Sequence, residues 1–392
     1  MLLVRFFRWL ELQGTRLAFM AVTFLTGIGA AFFIPTMSLF LSDEVGVSPF
    51  GVGLFFTANA LAGIVVSQWL AKRSDRRGSR KKLILLCCLA GGASCLLFAC
   101  SRSYLLLLSL GILLLSIGAT TSPQLFALAR EYSEQQGKSA VMFSAIMRTQ
   151  FSLAWVVGPP LAFAIATAYG FSLLFTLGSV AYLLCLGVVW RSLPDLGKVT
   201  AGQQLPRSGA WHNRDVRLLF MASLGLWTCN SMYLINMPLY LSRELMLPQA
   251  LAGWMMGLAA ALEIPVMLLA GYGSRWVGKK PMMLLAALAG VLFYSGLTLL
   301  PTGPVALLSL QLGNGIFIGI LAGMGMTYFQ DLMPGQPGAA TTLFSNSIRS
   351  GSILGGVVAG ITAQWWSYHG VFAVAMLLTS VALLLMSRVR EA

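Results

Sequence analysis

The chain has 392 residues, of which 57% are hydrophobic and 10% are charged, and its mean hydropathy is +0.80. This composition leaves too little polar surface to cover two or three soluble domains, so it excludes a water-soluble globular protein. The formal charge of +14 at pH 7 is typical of nucleic-acid-binding proteins, and the positions of the charges decide whether that function applies.

In chain order, the apolar stretches predict twelve transmembrane helices, each near the ~20 residues that cross a hydrocarbon core of about 30 Å. The predicted spans are 17–41, 51–71, 83–101, 104–129, 140–165, 172–190, 217–241, 250–273, 282–300, 305–329, 340–365 and 371–387. Gly and Pro interrupt many of them, which membrane helices tolerate when neighbouring helices satisfy the freed backbone groups. The sequence therefore predicts an all-α integral membrane protein.

The basic residues follow the rule that Lys and Arg accumulate on the cytoplasmic side of membrane helices. With the N-terminus inside, 22 of the 26 Lys and Arg residues fall in predicted cytoplasmic segments. The predicted outside loops hold only Arg102 and Arg243. The positive charge thus predicts a multi-pass protein with both termini cytoplasmic, and it makes a nucleic-acid partner unnecessary. The first apolar run is too long for a cleaved signal peptide, so we expect an uncleaved first helix.

The two halves of the sequence match each other at an offset of about 200 residues. The segments 16–21, 39–44 and 143–148 correspond to 217–222, 239–244 and 344–349. We therefore expect an N-terminal six-helix half over 1–190, a polar cytoplasmic linker over 191–216 and a C-terminal half over 217–392. Secondary transporters use two such halves for alternating access. A fixed channel between duplicated halves is the alternative.

The loop after the second span resembles the signature loop of the major facilitator superfamily. It reads Ala71-Lys-Arg-Ser-Asp-Arg-Arg-Gly-Ser-Arg-Lys-Lys82, with Ala71 in place of the usual first glycine. The resemblance implies that Asp75, with Arg76 and Gly78, forms a gating loop in which Asp75 is the anion, partnered by nearby arginines and by Glu131. A solvated, positive loop without a gating role is the alternative.

The fifth span contains Ala154-Trp-Val-Val-Gly-Pro-Pro-Leu-Ala162, which is similar to the glycine-proline motif of the antiporters in this superfamily. The resemblance implies a helix kink at Gly158 and Pro159 and favours antiport. A plain proline kink without directional meaning is the alternative.

Longer phrases resemble the bacterial sugar efflux transporter family of this superfamily; they cover 124–132, 152–163, 227–233, 262–265, 329–334 and 338–344. The resemblance implies the superfamily fold, with 12 transmembrane helices in two pseudo-symmetric halves, in the bacterial inner membrane. It also implies a monomer that exports sugars such as lactose, glucose and alkyl or aryl glycosides.

Of the twelve acidic residues, only Glu263 lies in the middle of a predicted span. At ~1.5 Å per residue it is roughly 20 Å deep, near the midplane of the bilayer. Arg148 and Arg349 lie at equivalent positions of the fifth and eleventh spans. An acid that exchanges between a proton, an arginine and a sugar hydroxyl would couple sugar export to protons. A purely structural buried pair is the alternative.

A sugar site needs hydroxyl-binding groups and an apolar platform. Gln124, Trp227, Asn230 and Asn314 are the preferred candidates, because they accompany the family phrases or small-residue faces. Any one of these amides can instead serve as a hydrogen bond between helices.

Three further hypotheses stay open on the sequence: efflux of amphipathic drugs, sugar uptake by the same fold, and an intramembrane enzyme. An enzyme would need a nucleophile with a base or paired carboxylates at the membrane centre, and none appears. No phosphate-binding GxxxxGK[ST] loop occurs, so ATP is not the predicted energy source. The cysteine and histidine spacings predict no metal or other cofactor.

Overall fold

The computed structural model describes residues 2–77, 79–136, 140–196, 213–300, 303–334 and 336–390. The side chains of 2–13, 71–77, 140–142, 145, 275 and 337–338 lie outside the description. The described part is almost entirely helical and contains no strand. The predicted all-helical membrane class is therefore confirmed.

The first repeat contains the helices α1 to α6. They are α1 Leu2–Phe33, α2 Pro49–Arg77, α3 Arg80–Cys100, α4 Thr121–Gln135, α5 Ala140–Tyr169 and α6 Phe171–Ser192. After α1 the chain continues through the helical turn Met37–Leu39 and a π-helical turn, Phe40–Glu44. Before α4 it passes through Tyr104–Leu106, a π turn at Leu107–Gly111 and the helix Ile112–Ala119.

The second repeat contains α7 to α12. They are α7 Arg214–Arg243, α8 Ala250–Val277, α9 Lys279–Leu299, α10 Pro304–Leu332, α11 Pro337–Trp365 and α12 Tyr368–Ser387. Short polar side chains set several starts, as N-caps do. Asn213 accepts a hydrogen bond from the Asp215 amide at α7, and Ser367 accepts one from the Gly370 amide at α12.

Within the described residues, eleven helical runs are long and apolar enough to cross a membrane. Of the twelve predicted spans, the one outside this set corresponds to α11. That helix has 29 residues, enough for about 43 Å at ~1.5 Å per residue. Its first half carries serines together with Asn346 and Arg349, and these polar groups lower its hydropathy. Length and repeat position therefore favour α11 as the twelfth span.

The chain forms two compact units. Unit 1 comprises 1–36 and 61–201, and unit 2 comprises 37–60 and 202–392. The predicted division into two halves joined by a linker over 191–216 rests on the sequence repeat and not on contacts in the structure, so it stays a prediction. The grouping places one segment of the first repeat, residues 37–60, with the helices of the second.

Unit 1 has a core in which α1 is packed against α3, α4, α5 and α6. Its buried residues include Phe19, Ile84, Leu128, Met147 and Cys185. Phe19 contacts the Phe143 ring edge-on, with ring centroids 5.6 Å apart. This core places α4 and α5, which carry five of the predicted site residues, against α1.

In unit 2 a row of glycines lets α8 lie directly against α10. A Cβ at Gly315 would be 2.7 Å from the Leu262 Cβ, and one at Gly319 would be 2.9 Å from the carbonyl oxygen of Glu263. Gly323 meets the Met267 side chain in the same way. Such small-residue rows allow membrane helices to approach closely. The row therefore fixes the backbone around Glu263.

The first membrane-length helical run of each repeat, which ends at Glu44 or at Arg243, finishes with the same backbone geometry. The Val45 amide donates to the Phe40 carbonyl at 3.2 Å, and the Leu245 amide donates to the Tyr240 carbonyl at 3.1 Å. Both turns then pass through a residue with positive φ, Gly46 at 74° and its equivalent Met246 at 52°. The sequence repeat is thus visible as a repeated local structure.

We expect Gly319→Ala to destabilise unit 2, because the added methyl group would meet the Glu263 backbone. Overpacking of this kind costs about 1–3 kcal/mol. The measurement is the free energy of unfolding in mixed micelles. The matched control is Gly271→Ala on α8, where a Cβ would meet nothing within 4 Å; equal stability of the two variants would contradict the packing argument.

Candidate functional site

Glu263 lies in the middle of α8, two residues before Pro265 in the phrase Leu262-Glu-Ile-Pro265. Its side chain is half-buried. No described residue of the chain forms an ion pair or a hydrogen bond with the Glu263 carboxylate. A carboxyl group at this depth without a partner is costly when ionised, so it is suited to taking up a proton.

The two predicted arginine partners have different surroundings. Arg349 is half-buried on α11 and, among the described residues, has no ion pair. Glu263 and Arg349, both in unit 2, are not paired in this structure. Arg148 is exposed on α5, and its guanidinium lies 5.9 Å from the centroid of the Phe126 ring, a cation-π contact.

Trp227 and Asn230 lie one helical turn apart on α7, and both are half-buried. The Trp227 ring is edge-on to Phe344 of α11, with centroids 6.3 Å apart. Its Nε1 atom is buried and, within the described structure, donates to no acceptor. Asn230 also has no hydrogen bond to the described residues. These two side chains therefore keep hydrogen-bonding capacity that the chain itself does not use.

Asn314, by contrast, belongs to a buried polar network in unit 2. Gln311 accepts hydrogen bonds at 3.1 Å from both the Tyr233 hydroxyl and the Asn314 amide, and it donates to the Leu307 carbonyl. Asn314 is only 3% exposed, and its Oδ1 atom has no partner in the described structure. The network ties α7 to α10, so one function of Asn314 is to hold the bundle together.

Gln124 and Glu131, both on α4, are joined through Arg80 at the start of α3. The Arg80 Nε atom lies 2.7 Å from Glu131 Oε1, and Nη1 donates to Gln124 Oε1 at 3.1 Å. Glu131 was predicted as a partner of the gating loop, and Arg80 is the loop arginine that it contacts. The side chains of Asp75 and Arg76, and Gly78 as a whole, lie outside the described residues.

A second ion pair occupies the equivalent position of the other repeat. Lys279 at the start of α9 lies 2.6 Å from Asp331 near the end of α10. The same pair of helices in each repeat is therefore joined at the predicted cytoplasmic end. The sequence places Glu131 at this loop but does not identify Arg80 as its partner, nor the pair of Lys279 with Asp331. The offset of about 200 residues between Glu131 and Asp331 is a signal that connects the two pairs.

Gly158 and Pro159 are buried within α5, which is helical from Ala140 to Tyr169. Gly158 faces Ala31 of α1 so closely that an added Cβ would overlap the Ala31 side chain. Gly27 of α1 faces Ala154 in the same way. The glycine-proline segment thus serves close packing of α1 on α5 inside unit 1.

Comparison with known proteins identifies a family model and several relatives that match this chain. Residues 19–345 match the family model described as Major Facilitator Superfamily. The chain is 56% identical to "Sugar efflux transporter A" of Dickeya chrysanthemi, over 96% of each protein. It is 52% identical to "Sugar efflux transporter A" of Escherichia coli, over 97% of each, and 46% identical to "Sugar efflux transporter C" of the same organism.

The structure is also similar to solved transporters of low sequence identity. The nucleoside transporter NupG superposes with a TM-score of 0.81 at 16% identity, covering 96% of this chain and 98% of that one. The peptide transporter POT in complex with sulfate gives 0.73 at 14% identity, covering 96% of each. At these identities the likeness establishes the fold alone.

We expect Glu131→Gln to lower the free energy of unfolding more than Asp331→Asn. Arg80 and Glu131 are only 18% and 15% exposed, and a hydrogen bond to a charged group at such a site contributes about 1.5–3 kcal/mol. Lys279 and Asp331 are 27% and 40% exposed, so solvent screens that pair to about 0–1 kcal/mol. Denaturant titration of both variants in micelles tests the order, and a larger loss in Asp331→Asn would contradict it.

Proposed function

Because the chain belongs to the sugar efflux transporters of the Major Facilitator Superfamily, we propose that it exports sugars across the bacterial inner membrane. The observation that carries this proposal is the identity of 46–56% to sugar efflux transporters over nearly the whole length. Membership in a family of transporters also disfavours the intramembrane enzyme. The proposed cargo is an uncharged sugar or glycoside, with lactose, glucose and alkyl or aryl glycosides as first candidates.

Unused hydrogen-bonding groups on α7 support an uncharged polyol as cargo. The Trp227 indole offers a donor next to an apolar ring, and Asn230 offers both a donor and an acceptor one turn away. Sugars bind to such combinations of an apolar platform with convergent polar groups. Gln124 and Asn314 are weaker candidates, because Arg80 and Gln311 already engage their amides.

Proton antiport is the proposed energy source, and Glu263 is the proposed proton carrier. In the outward-open state the sugar leaves and Glu263 takes a proton; in the inward-open state the proton leaves and sugar binds again. Arg148 and Arg349 are the proposed counter-charges for the ionised form. A membrane potential of 100 mV supplies about 2.3 kcal/mol per charge, which supports a sugar gradient of about 50-fold for each proton exchanged.

The topology proposed with this function places both termini in the cytoplasm, and the protein acts as a monomer. The ion pairs Arg80–Glu131 and Lys279–Asp331 then lie at the cytoplasmic end of their helices. The residues Asp75, Arg76 and Gly78 remain proposed members of the gating loop there.

We expect inverted membrane vesicles to accumulate labelled sugars when a proton gradient, acid inside, is imposed. Inversion turns export into uptake, so a panel of lactose, glucose and an aryl glycoside measures both cargo and coupling. Dissipating the gradient with a protonophore should remove the accumulation and leave downhill exchange. Movement of amphipathic dyes without movement of any sugar would contradict the proposed cargo.

We expect Glu263→Gln to abolish gradient-driven accumulation while it preserves sugar counterflow without a gradient. The amide imitates the protonated carboxyl group in shape and charge but does not exchange a proton. Retained counterflow shows that the variant is folded, which separates lost coupling from lost structure.

The matched control is Glu134→Gln, which removes an exposed carboxylate that, among the described residues, forms its ion pair with Arg130 at 2.8 Å. This variant should transport like the unmodified chain in both assays. If Glu263→Gln still accumulates sugar in response to the gradient, the proposed role of Glu263 in proton coupling is wrong. The proposal that the protein exports sugar is not affected by that result.

A further inference from the structure

Arg349, near the middle of α11, carries a positive charge for which the described residues supply no counter-ion. Its side chain is half-buried and forms no ion pair or hydrogen bond with any described residue. A guanidinium group keeps its charge and offers only hydrogen-bond donors. Inside a membrane-spanning segment such a group needs an acceptor, so the acceptor must come from a ligand or from a change of state.

The described acidic residues of unit 2 do not supply this acceptor. Four of them lie near helix ends and accept there from a basic side chain or from backbone amides; they are Asp43, Asp215, Glu244 and Asp331. Glu44 ends its π-helical turn. Glu263 lies in the middle of α8, but it is neutral whenever it holds the proton of the proposed cycle. In that part of the cycle Arg349 has no negative charge within the described spans of unit 2.

Hydrogen-bond donors without acceptors accompany Arg349 on α7 and α11. The Trp227 Nε1 atom is buried and donates to no described acceptor. Asn346, which is exposed one turn before Arg349, and Asn230 have no hydrogen bond to the described residues. An indole and a guanidinium group can only donate, whereas an amide can donate or accept. The set therefore favours a ligand that supplies more acceptors than donors.

The packing of α11 on α7 places these donors at similar depths in the bilayer. A Cβ at Gly351 would lie 2.7 Å from the Trp227 Cβ atom, and the Trp227 ring is edge-on to the Phe344 ring, with centroids 6.3 Å apart. These two contact points are about two turns apart on α11, and both Asn346 and Arg349 lie between them in the sequence. The indole, the amide and the guanidinium group thus belong to one region of unit 2.

We propose that the protein also exports sugar acids, and that Arg349 binds the carboxylate of such a sugar. The proposal rests on the proposed export function, because the sugar ring would use the same groups on α7 as an uncharged sugar. A guanidinium group and a carboxylate form two parallel hydrogen bonds, and their single charges balance. A sugar phosphate carries about 1.5 to 2 negative charges, which one guanidinium group does not balance.

Glucuronate and glucose are matched probes, because carbon 6 is a carboxylate in one and a hydroxymethyl group in the other. Counterflow of each labelled sugar is measured in proteoliposomes that contain the purified protein, and we expect both sugars to move. Arg349→Gln should lower the ratio of glucuronate to glucose counterflow about tenfold to a hundredfold, the effect of losing hydrogen bonds between charged groups. Arg349→Lys should give an intermediate ratio, because lysine keeps the charge without the paired donors.

A competition assay tests the proposal without any variant. In the unmodified protein, glucuronate should inhibit glucose counterflow, whereas acetate at the same concentration should not, because acetate has the carboxylate without the sugar ring. Equal inhibition by acetate, or none by glucuronate, would overturn the proposal even if Arg349→Gln fails to fold.

The matched control variant is Arg217→Gln, which removes an exposed charge near the start of α7 and should leave the ratio unchanged. Glucose counterflow without glucuronate counterflow, or an unchanged ratio in Arg349→Gln, would refute the export of sugar acids and leave the export of uncharged sugars in place. Faster counterflow of glucose 6-phosphate than of glucuronate would refute the choice of a carboxylate. If neither glucose nor glucuronate moves in the unmodified protein, the proposed function itself is wrong.

Discussion

The absence of water from the hydrocarbon core is the constraint on which this structure depends, because every polar group there needs a partner within the protein. Hydroxyl groups meet it locally: Thr23 and Thr57 donate to carbonyl oxygens one turn earlier in their own helices. Amides meet it through the network of Tyr233, Gln311 and Asn314. Some polar groups have no partner among the described residues, and these retain the capacity to bind a ligand or a proton.

Glu263 and the Trp227 indole are such groups, and the glycine row of α10 explains how Glu263 is positioned. Because Gly315 and Gly319 bring the backbones of α8 and α10 together, the Glu263 main chain has little freedom. Glycines also bring α2 close to α11, where Gly53 meets Gly356 and Gly360. The absence of side chains there lets the two backbones meet directly.

Much of the fold could be predicted from the sequence, since hydropathy, charge asymmetry and the internal repeat report on helices directly. Hydropathy is weakest at α11, where Asn346 and Arg349 make a membrane-length helix more polar. The candidate site was less accessible to prediction. Spacing along the chain places Glu263 near the midplane, but it does not tell whether an amide faces a ligand or another helix. Asn314 and Gln124 illustrate this. The partner of Asn314 is Gln311, one turn earlier on the same helix, whereas the partner of Gln124 is Arg80, 44 residues away in the sequence.

The internal repeat explains which charges join which elements. Glu131 and Asp331 are equivalent acids, and each pairs with a cation at the start of the preceding long helix, Arg80 or Lys279. In both pairs the acid and the cation belong to the same repeat, so each repeat is stabilised by its own copy of the pair. A contact between equivalent positions of two repeats cannot keep the same charge on both sides, since like charges repel. Asp43 and Arg243 have opposite signs and form an ion pair, so the two equivalent turns attract each other.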